Sequence, residues 1–148
     1  MKTVYSVIFL SFLIIFPLVT TVNGNDDWVI YETSYGGDVY SYSKVSIKPK
    51  TKDMVQVWSK QVYSDKSREE VIQKLMESGL FTKTELEKLS YNVILQEIDC
   101  KEKKSRIVSI RYYDKDSNVL YSSAVEKIIW TYIIPDTVTD ILRKKVCK

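Results

Sequence analysis

The residues with the clearest potential chemistry are two cysteines. Cys100 lies where an apolar run ends and a basic run begins, in "EIDCKEKKSR", and Cys147 is the penultimate residue. Two cysteines in an exported protein most simply form a disulfide. A Cys100–Cys147 bond would close a loop of about 48 residues, and the chain-entropy estimate for that loop is about 4 kcal/mol. A catalytic thiol is disfavoured because there is no Cys-x-x-Cys motif and no histidine to lower a thiol pKa.

The absence of histidine also restricts other catalytic chemistry. Ser-His-Asp and Cys-His catalysis and histidine zinc sites all need the missing residue. Carboxylates, lysine or tyrosine would have to act alone, and no spacing among the 19 acidic residues indicates a glycosidase-like pair. We therefore predict that the protein is not an enzyme and uses no cofactor, with a histidine-free hydrolase as a minor alternative.

The segment from Asp114 to Asn118 has the pattern with which a calcium-binding EF-hand loop begins, Asp-x-Asp-x-Asn. The rest of that motif is missing, since Val119 and Val125 stand where the loop requires glycine and glutamate. Predicted strands, and not helices, flank the segment. The sequence therefore predicts a hairpin turn here and no metal site.

Basic residues cluster beside each cysteine, and a disulfide would merge the two clusters into one patch. The patch is a candidate anion site for an acidic envelope polymer, a sulfated glycan or an acidic protein segment. The alternative is a solvated helix end whose cations interact with the helix dipole. Nucleic acid is not an expected partner, because aromatic residues do not interleave with these clusters. The predicted patch comprises Lys101, Lys103, Lys104, Arg106, Arg143, Lys144, Lys145 and Lys148.

Residues 1–24 predict a secretory signal peptide. Lys2 precedes an apolar run from Val4 to Val19, and the segment ends in small or uncharged residues up to Gly24. The alternative is a membrane anchor, since the run is only slightly shorter than a spanning helix. Cleavage after Gly24 predicts a periplasmic or secreted protein with no membrane anchor. Residues 25–148 would then form a single domain, and its formal charge falls from +3 to +2 with the loss of Lys2.

Hydrophobic periodicity predicts the elements that position these residues. The first half reads as strands, with a hairpin turn at Gly36-Gly37 and a short strand that Pro49 ends. A helical insertion at about 67–89 follows, because Ser67-x-x-Glu70 and Thr82-x-x-Glu85 are capping boxes. The predicted strands are 28–33, 38–42, 45–48 and 54–63. The first predicted helix runs from about Arg68 to Ser78, and a shorter one begins at Thr82 and ends at about Leu89.

The second half predicts an antiparallel meander followed by a helix. Three strand-like runs at 92–99, 106–114 and 119–125 are joined by short polar turns. Thr137-x-x-Asp140 then opens a last helix, in which Val138, Ile141, Leu142 and Val146 form an apolar stripe. The fold class is therefore α+β: an antiparallel sheet with a C-terminal helix that the disulfide tethers, plus a helical insertion.

The two faces of this sheet need different covers. The C-terminal helix covers one face, and the other must be covered by the 67–89 helices, a second subunit or a ligand. The full chain has eleven tyrosines and three tryptophans, and all but Tyr5 lie in residues 25–148. That number exceeds what a core of this size needs, and aromatic residues are favoured at interfaces. We therefore predict a homodimer.

The order of these pieces resembles the surface-adhesin protein E family of bacterial envelope proteins. The resemblance rests on Trp28, "VWSKQVY" at 57–63, "DCKEKKSRIVSIRYYD" at 99–114, Trp130 with Pro135, and "TVTDILRKKVC" at 137–147. The residues at the positions characteristic of that family are Asp99, Cys100, Trp130, Pro135, Thr137 and Cys147. The resemblance implies a sheet with a disulfide-tethered helix, exposure at a bacterial envelope and, for the founding adhesin, binding of host matrix proteins and dimerisation.

Two classes of function remain open from the sequence. The first is a non-enzymatic binding module for an extracellular protein or a polyanionic polymer. The second is a structural or assembly component of the periplasm that self-associates through its sheet.

Overall fold

One antiparallel sheet forms the body of the protein. The structure is a computed structural model and describes residues 28–79, 81–127 and 129–147, so the predicted signal peptide and Lys148 lie outside the described residues. The strands are β1 Trp28–Thr33, β2 Val39–Ser43, β3 Lys48–Thr51, β4 Met54–Val62, β5 Leu89–Asp99, β6 Lys104–Asp114, β7 Val119–Ala124 and β8 Thr131–Tyr132. They run in the order β1-β2-β4-β5-β6-β7, with β3 paired to β4 and β8 to β6. With the helices α1 Asp65–Glu77, α2 Lys83–Leu86 and α3 Val138–Val146, the predicted α+β class is confirmed.

The core lies on the sheet face that α3 covers, which we call the helix face. Alternation along the central strands points Val57 of β4 and Ile98 of β5 towards it, and both are fully buried. Leu142 and Val146 of α3 pack on them, as the predicted apolar stripe requires. The opposite side, which carries Trp58, is called the open face.

The helical insertion lies over the helix face, at the end of the sheet away from the disulfide. Ser67 of α1 donates a hydrogen bond to the Asp38 carboxylate at 2.7 Å, and Gln61 of the helix face donates to the same carboxylate. Phe81, just before α2, contacts the ring of Tyr121 edge-on at 4.8 Å. Both helical regions therefore share one face. The prediction that the 67–89 helices could cover the second face is wrong.

Helix α1 begins three residues earlier than predicted. Ser64 is its N-cap, and the Ser64 hydroxyl accepts from the backbone N–H of Ser67. Ser67 is consequently inside the helix, where its own hydroxyl bonds to Asp38. The predicted capping box at Ser67 is therefore wrong, whereas the one at Thr82 and Glu85 is confirmed.

The sequence predicts a short strand that ends at Pro49, but the structure places this strand later in the chain. Lys44–Ser46 forms a 3-10 turn, and β3 includes Pro49, paired with Val55 of β4. Proline is tolerated here because β3 pairs with a single neighbour, so its missing N–H removes no second ladder bond. The other predicted strand ends shift by a few residues, the largest being β5, which begins at Leu89 and not at Asn92.

The Asp114–Asn118 segment is the hairpin turn that the sequence predicts. The Asp114 carboxylate accepts from the backbone N–H groups of Asp116 and Asn118 and from the Asn118 side chain. Ser117 has a positive φ of 66°, which closes the turn. One oxygen atom of the Asp114 carboxylate therefore accepts from the turn backbone and the other from the Asn118 side chain.

The disulfide joins α3 to the end of β5, which confirms the predicted pairing. The Cα atoms of Cys100 and Cys147 are 5.7 Å apart. Thr137 is the N-cap of α3 and accepts from the Asp140 N–H. The helix is thus fixed by a side-chain cap at one end and a covalent bond at the other.

We predict that Cys147→Ser lowers the free energy of unfolding by about 2–5 kcal/mol, the range for a lost native disulfide. The loss arises because α3 then depends on packing alone to stay on the sheet. Urea denaturation followed by circular dichroism measures it. Reduced wild type should denature at the same urea concentration as the variant, and an unchanged midpoint in either case would contradict the prediction.

Candidate ligand-binding surfaces

The disulfide brings the two predicted basic clusters together. One follows Cys100 in the β5–β6 turn, and the other occupies the last turn of α3 before Cys147. Lys101 and Lys103 are exposed in the turn, and Lys145 is exposed on the helix. Among the described residues, no ion pair involves these three lysines.

The other two cations of α3 are neutralised locally. Arg143 and Lys144 each approach the buried carboxylate of Asp140 at 2.8 Å, and Lys144 also lies 3.5 Å from Asp136. The hydrogen bonds from Lys144 and Arg143 hold the pKa of Asp140 far below its ordinary value. These two basic residues therefore stabilise the start of α3 and contribute little to an anion site.

The remaining two patch residues that the structure describes, Lys104 and Arg106, extend onto the open face. The Nζ of Lys104 lies 4.6 Å from the centroid of the Tyr132 ring. Arg106 forms a 2.6 Å ion pair with the buried Glu97, and its guanidinium lies 5.0 Å from the ring of Trp130. The predicted patch is thus divided between an exposed disulfide cluster, defined as Lys101, Lys103 and Lys145, and the open face.

Basic side chains lie over aromatic rings across the whole open face. Arg111 of β6 lies 5.5 Å from the ring centroid of Trp58 on β4. Lys60 reaches both Trp28, at 4.6 Å, and Tyr91, at 5.7 Å. All three tryptophans of the chain therefore have a cation within the distance of a favourable cation–π contact.

Sequence reasoning missed this array, which we call the cation–aromatic array: Trp28, Trp58, Lys60, Tyr91, Arg106, Arg111 and Trp130. The expectation that aromatic residues do not interleave with the basic clusters is wrong, since Trp130 and Tyr132 contact two of the predicted patch residues. The contacts join residues from different strands, so only the strand register reveals them. A period-two pattern with Trp58 and Lys60 on one face of β4 was the available signal.

A groove of about 570 Å³ opens on the helix face, beside α3. Its floor is polar, with Ser59 and Gln61 from β4 and Asn92 and Gln96 from β5. These side chains bond mostly to the protein, since Gln96 donates to the Ser59 hydroxyl at 2.7 Å and Asn92 donates to Tyr63. The described side chains that line the groove include no carboxylate.

The titratable groups with shifted pKa values serve the fold. Burial raises the pKa of Tyr31 and of Tyr63, so both phenols stay protonated at neutral pH. Burial pulls the pKa of Asp38 upward, but hydrogen bonds from Ser64, Ser67 and Gln61 outweigh it and leave the pKa lowered. Within the described residues, no group of three His, Cys, Asp or Glu side chains could hold a metal ion.

These features define a small α+β domain with a disulfide-tethered helix and basic surfaces on its sheet and at its disulfide. The family model of surface-adhesin protein E matches residues 28–148. The chain belongs to this family, and is therefore a surface-adhesin-like protein that is exported to the envelope. The family also indicates a non-enzymatic protein.

A solved structure agrees on the fold. The chain is similar to protein E from non-typeable Haemophilus influenzae, with 12% sequence identity, a TM-score of 0.50, and coverage of 85% of this chain and 78% of that one. No curated protein sequence matches the chain. Among the helices of the described ranges, none has the length and apolar content needed to cross a bilayer.

We predict that Asp140→Asn lowers the melting temperature at neutral pH and that the difference from wild type shrinks in acid. The ordinary pKa of an aspartate is 3.8, and the folded protein holds that of Asp140 lower. The stabilisation by its ion pairs is therefore fully present above about pH 4 and is lost as the pH falls towards the lowered pKa.

Thermal melts of both proteins at several pH values from neutral to strongly acidic check this prediction. The matched control is Asp65→Asn, which removes the exposed Asp65–Arg68 pair on α1. A destabilisation of the Asp140 variant that is equal at every pH would contradict the prediction.

Proposed function

We propose that this protein is a non-enzymatic binding module of the bacterial envelope that binds a polyanionic polymer or an acidic region of an extracellular protein. A signal peptide at residues 1–24 directs its export, and residues 25–148 act as one domain in the periplasm or outside the cell. Family membership supports the envelope location. The observation that carries the binding proposal is the pairing of two basic segments at the Cys100–Cys147 bond.

The charge at that bond supports an anion as the ligand. Lys101, Lys103 and Lys145 project from two segments whose cysteine Cα atoms are 5.7 Å apart, although the sequence separates those cysteines by 47 residues. The disulfide fixes both segments, so their lysines meet an anion without a backbone rearrangement. Local clusters of this kind attract anions even when the net charge is small.

We predict that wild type binds heparin or lipopolysaccharide and that Lys103→Glu with Lys145→Glu weakens this binding about tenfold or more, as expected when several charge-assisted contacts are lost. Surface plasmon resonance at low and at physiological salt measures the affinity. Lys145 is chosen over Lys144, because Lys144 is engaged with Asp136 and Asp140.

The matched control is Lys66→Glu with Lys83→Glu, which changes the net charge equally at two exposed sites on α1 and α2. An equal loss of affinity in the control would show that net charge alone is responsible. A wild-type protein that binds neither polyanion nor an extracellular matrix protein would contradict the proposed function itself.

The second candidate function is self-association through the sheet, as a homodimer. The observation that favours it is exposed apolar surface: Ile30 on β1 is 65% exposed and Tyr132 on β8 is 71% exposed. Aromatic residues beside such positions are enriched at interfaces.

We predict a dimer mass for wild type at high micromolar concentration and a monomer mass for Ile30→Lys, because a buried unpaired lysine would oppose the interface. Multi-angle light scattering measures both masses. Ile134→Lys is the control, since Ile134 is equally exposed, at 69%, but lies beside α3. A monomer mass for wild type would end this candidate.

A further inference from the structure

We propose that the open face of the sheet binds an acidic glycan, with the cations of the cation–aromatic array as its ligands. This inference rests on the proposed function and assigns a ligand class and a second surface to it. The disulfide cluster alone does not distinguish one polyanion from another. The open face has features that favour one class of polyanion over the others.

The cations of the array are held in place before a ligand arrives. Arg111 is exposed but lies over the Trp58 ring, and Arg106 is fixed between Glu97 and the Trp130 ring. The stacked guanidinium of Arg111 keeps the N–H groups at its edge available while its rotamers are already restricted, whereas Arg106 donates from Nε and Nη2 to Glu97. A ligand that binds such a side chain loses less conformational entropy than one that must order a mobile lysine.

A bulge in β6 is what places both arginines on the same face. Leu95 pairs with Ser109, whereas the next residue, Gln96, pairs with Ile107, so Val108 is the extra residue. Strict alternation would put residues 106 and 111 on opposite faces, because they are an odd number apart. The bulge reverses that parity, so Arg106 and Arg111 both lie on the open face.

The charge of the central strands favours an anion on this side. On β4, β5 and β6 the register gives the open face four basic residues, Lys60, Lys104, Arg106 and Arg111, and two acidic ones, Glu97 and Asp99. Glu97 is buried in its pair with Arg106. Asp99 accepts from the backbone N–H groups of Lys101 and Glu102. Glu97 offsets the charge of Arg106, so the other three basic residues, opposed by the single carboxylate of Asp99, give these positions a net positive charge.

Neutral polar side chains between the cations favour a glycan over other polyanions. Gln56 and Ser109 lie on the same face as the arginines. The Gln56 amide donates one hydrogen bond to Glu97, and its carbonyl oxygen, together with the Ser109 hydroxyl, can bond to sugar hydroxyls, which a polyglutamate chain lacks. Nucleic acid is disfavoured because base stacking needs an uncovered ring face, and cations already lie over the tryptophan rings. A polymer with sulfate or carboxylate groups and free hydroxyls fits both sets of side chains.

The test compares heparin binding by wild type, Arg111→Gln and Trp58→Leu over a series of salt concentrations. Arg111→Gln should weaken binding about tenfold, the scale of one lost charge-assisted contact, and should reduce the salt-dependence slope by about 1. Trp58→Leu should weaken binding with the slope unchanged, because it removes the support of Arg111 and no charge. The control is Arg68→Gln, an arginine of α1, which should change neither quantity.

The outcomes separate this inference from the proposed function. Heparin binding that Arg111→Gln leaves unchanged in affinity and slope, but that Lys103→Glu with Lys145→Glu weakens, overturns the open-face site and leaves the proposed function standing. Polyglutamate or single-stranded DNA bound as tightly as heparin at equal charge overturns the glycan assignment. No heparin binding by wild type overturns the inference. Circular dichroism establishes that each variant is folded, and the exposed Arg111 keeps the test valid if Trp58→Leu does not fold.

Discussion

The packing of α3 on the centre of the sheet is the interaction on which the other features depend. Leu142 and Val146 bury Val57 and Ile98, and the Cys100–Cys147 bond prevents the helix from leaving. The helix is only nine residues long, so its own hydrogen bonds would not keep it folded in isolation. Its position in turn sets where the basic segment after Cys100 meets the basic end of the chain.

Because the described helices share one face, the other face has to be stable without a second layer. Its tryptophan rings lie under the charged groups of lysine and arginine side chains, the ammonium of Lys60 over Trp28 and the guanidinium of Arg111 over Trp58, which cover part of the apolar ring surface. The ion pair of Glu97 and Arg106 connects these cation–aromatic contacts to the central strand β5. The same contacts therefore stabilise a single-layered surface and hold charged groups in fixed positions.

The sequence was sufficient to predict the fold but only part of the candidate site. Export and the two cysteines predicted the disulfide, and period-two runs with the Thr137 cap predicted the sheet and α3. Ser67 and Ser64 both offer a hydroxyl near the start of α1, and only the tertiary bond to Asp38 decides between them. The bulge at Val108 leaves no pattern in the residues themselves, so the common face of Arg106 and Arg111 required the register. From the sequence, Arg143 and Lys144 were expected to be free to bind an anion, because Asp140 was interpreted only as a helix-capping residue. In the structure both residues form ion pairs with Asp140.

The one-sided placement of the helices leaves the open face without a helix and puts α1, α2 and α3 on the opposite face. A long polymer lying across the open face would contact several strands at once, whereas the helices would face away from it. One binding event would then fix the orientation of the whole domain, because only one of its two faces contacts the polymer. Copies bound side by side on such a polymer would all present α1, α2 and the groove beside α3 outward.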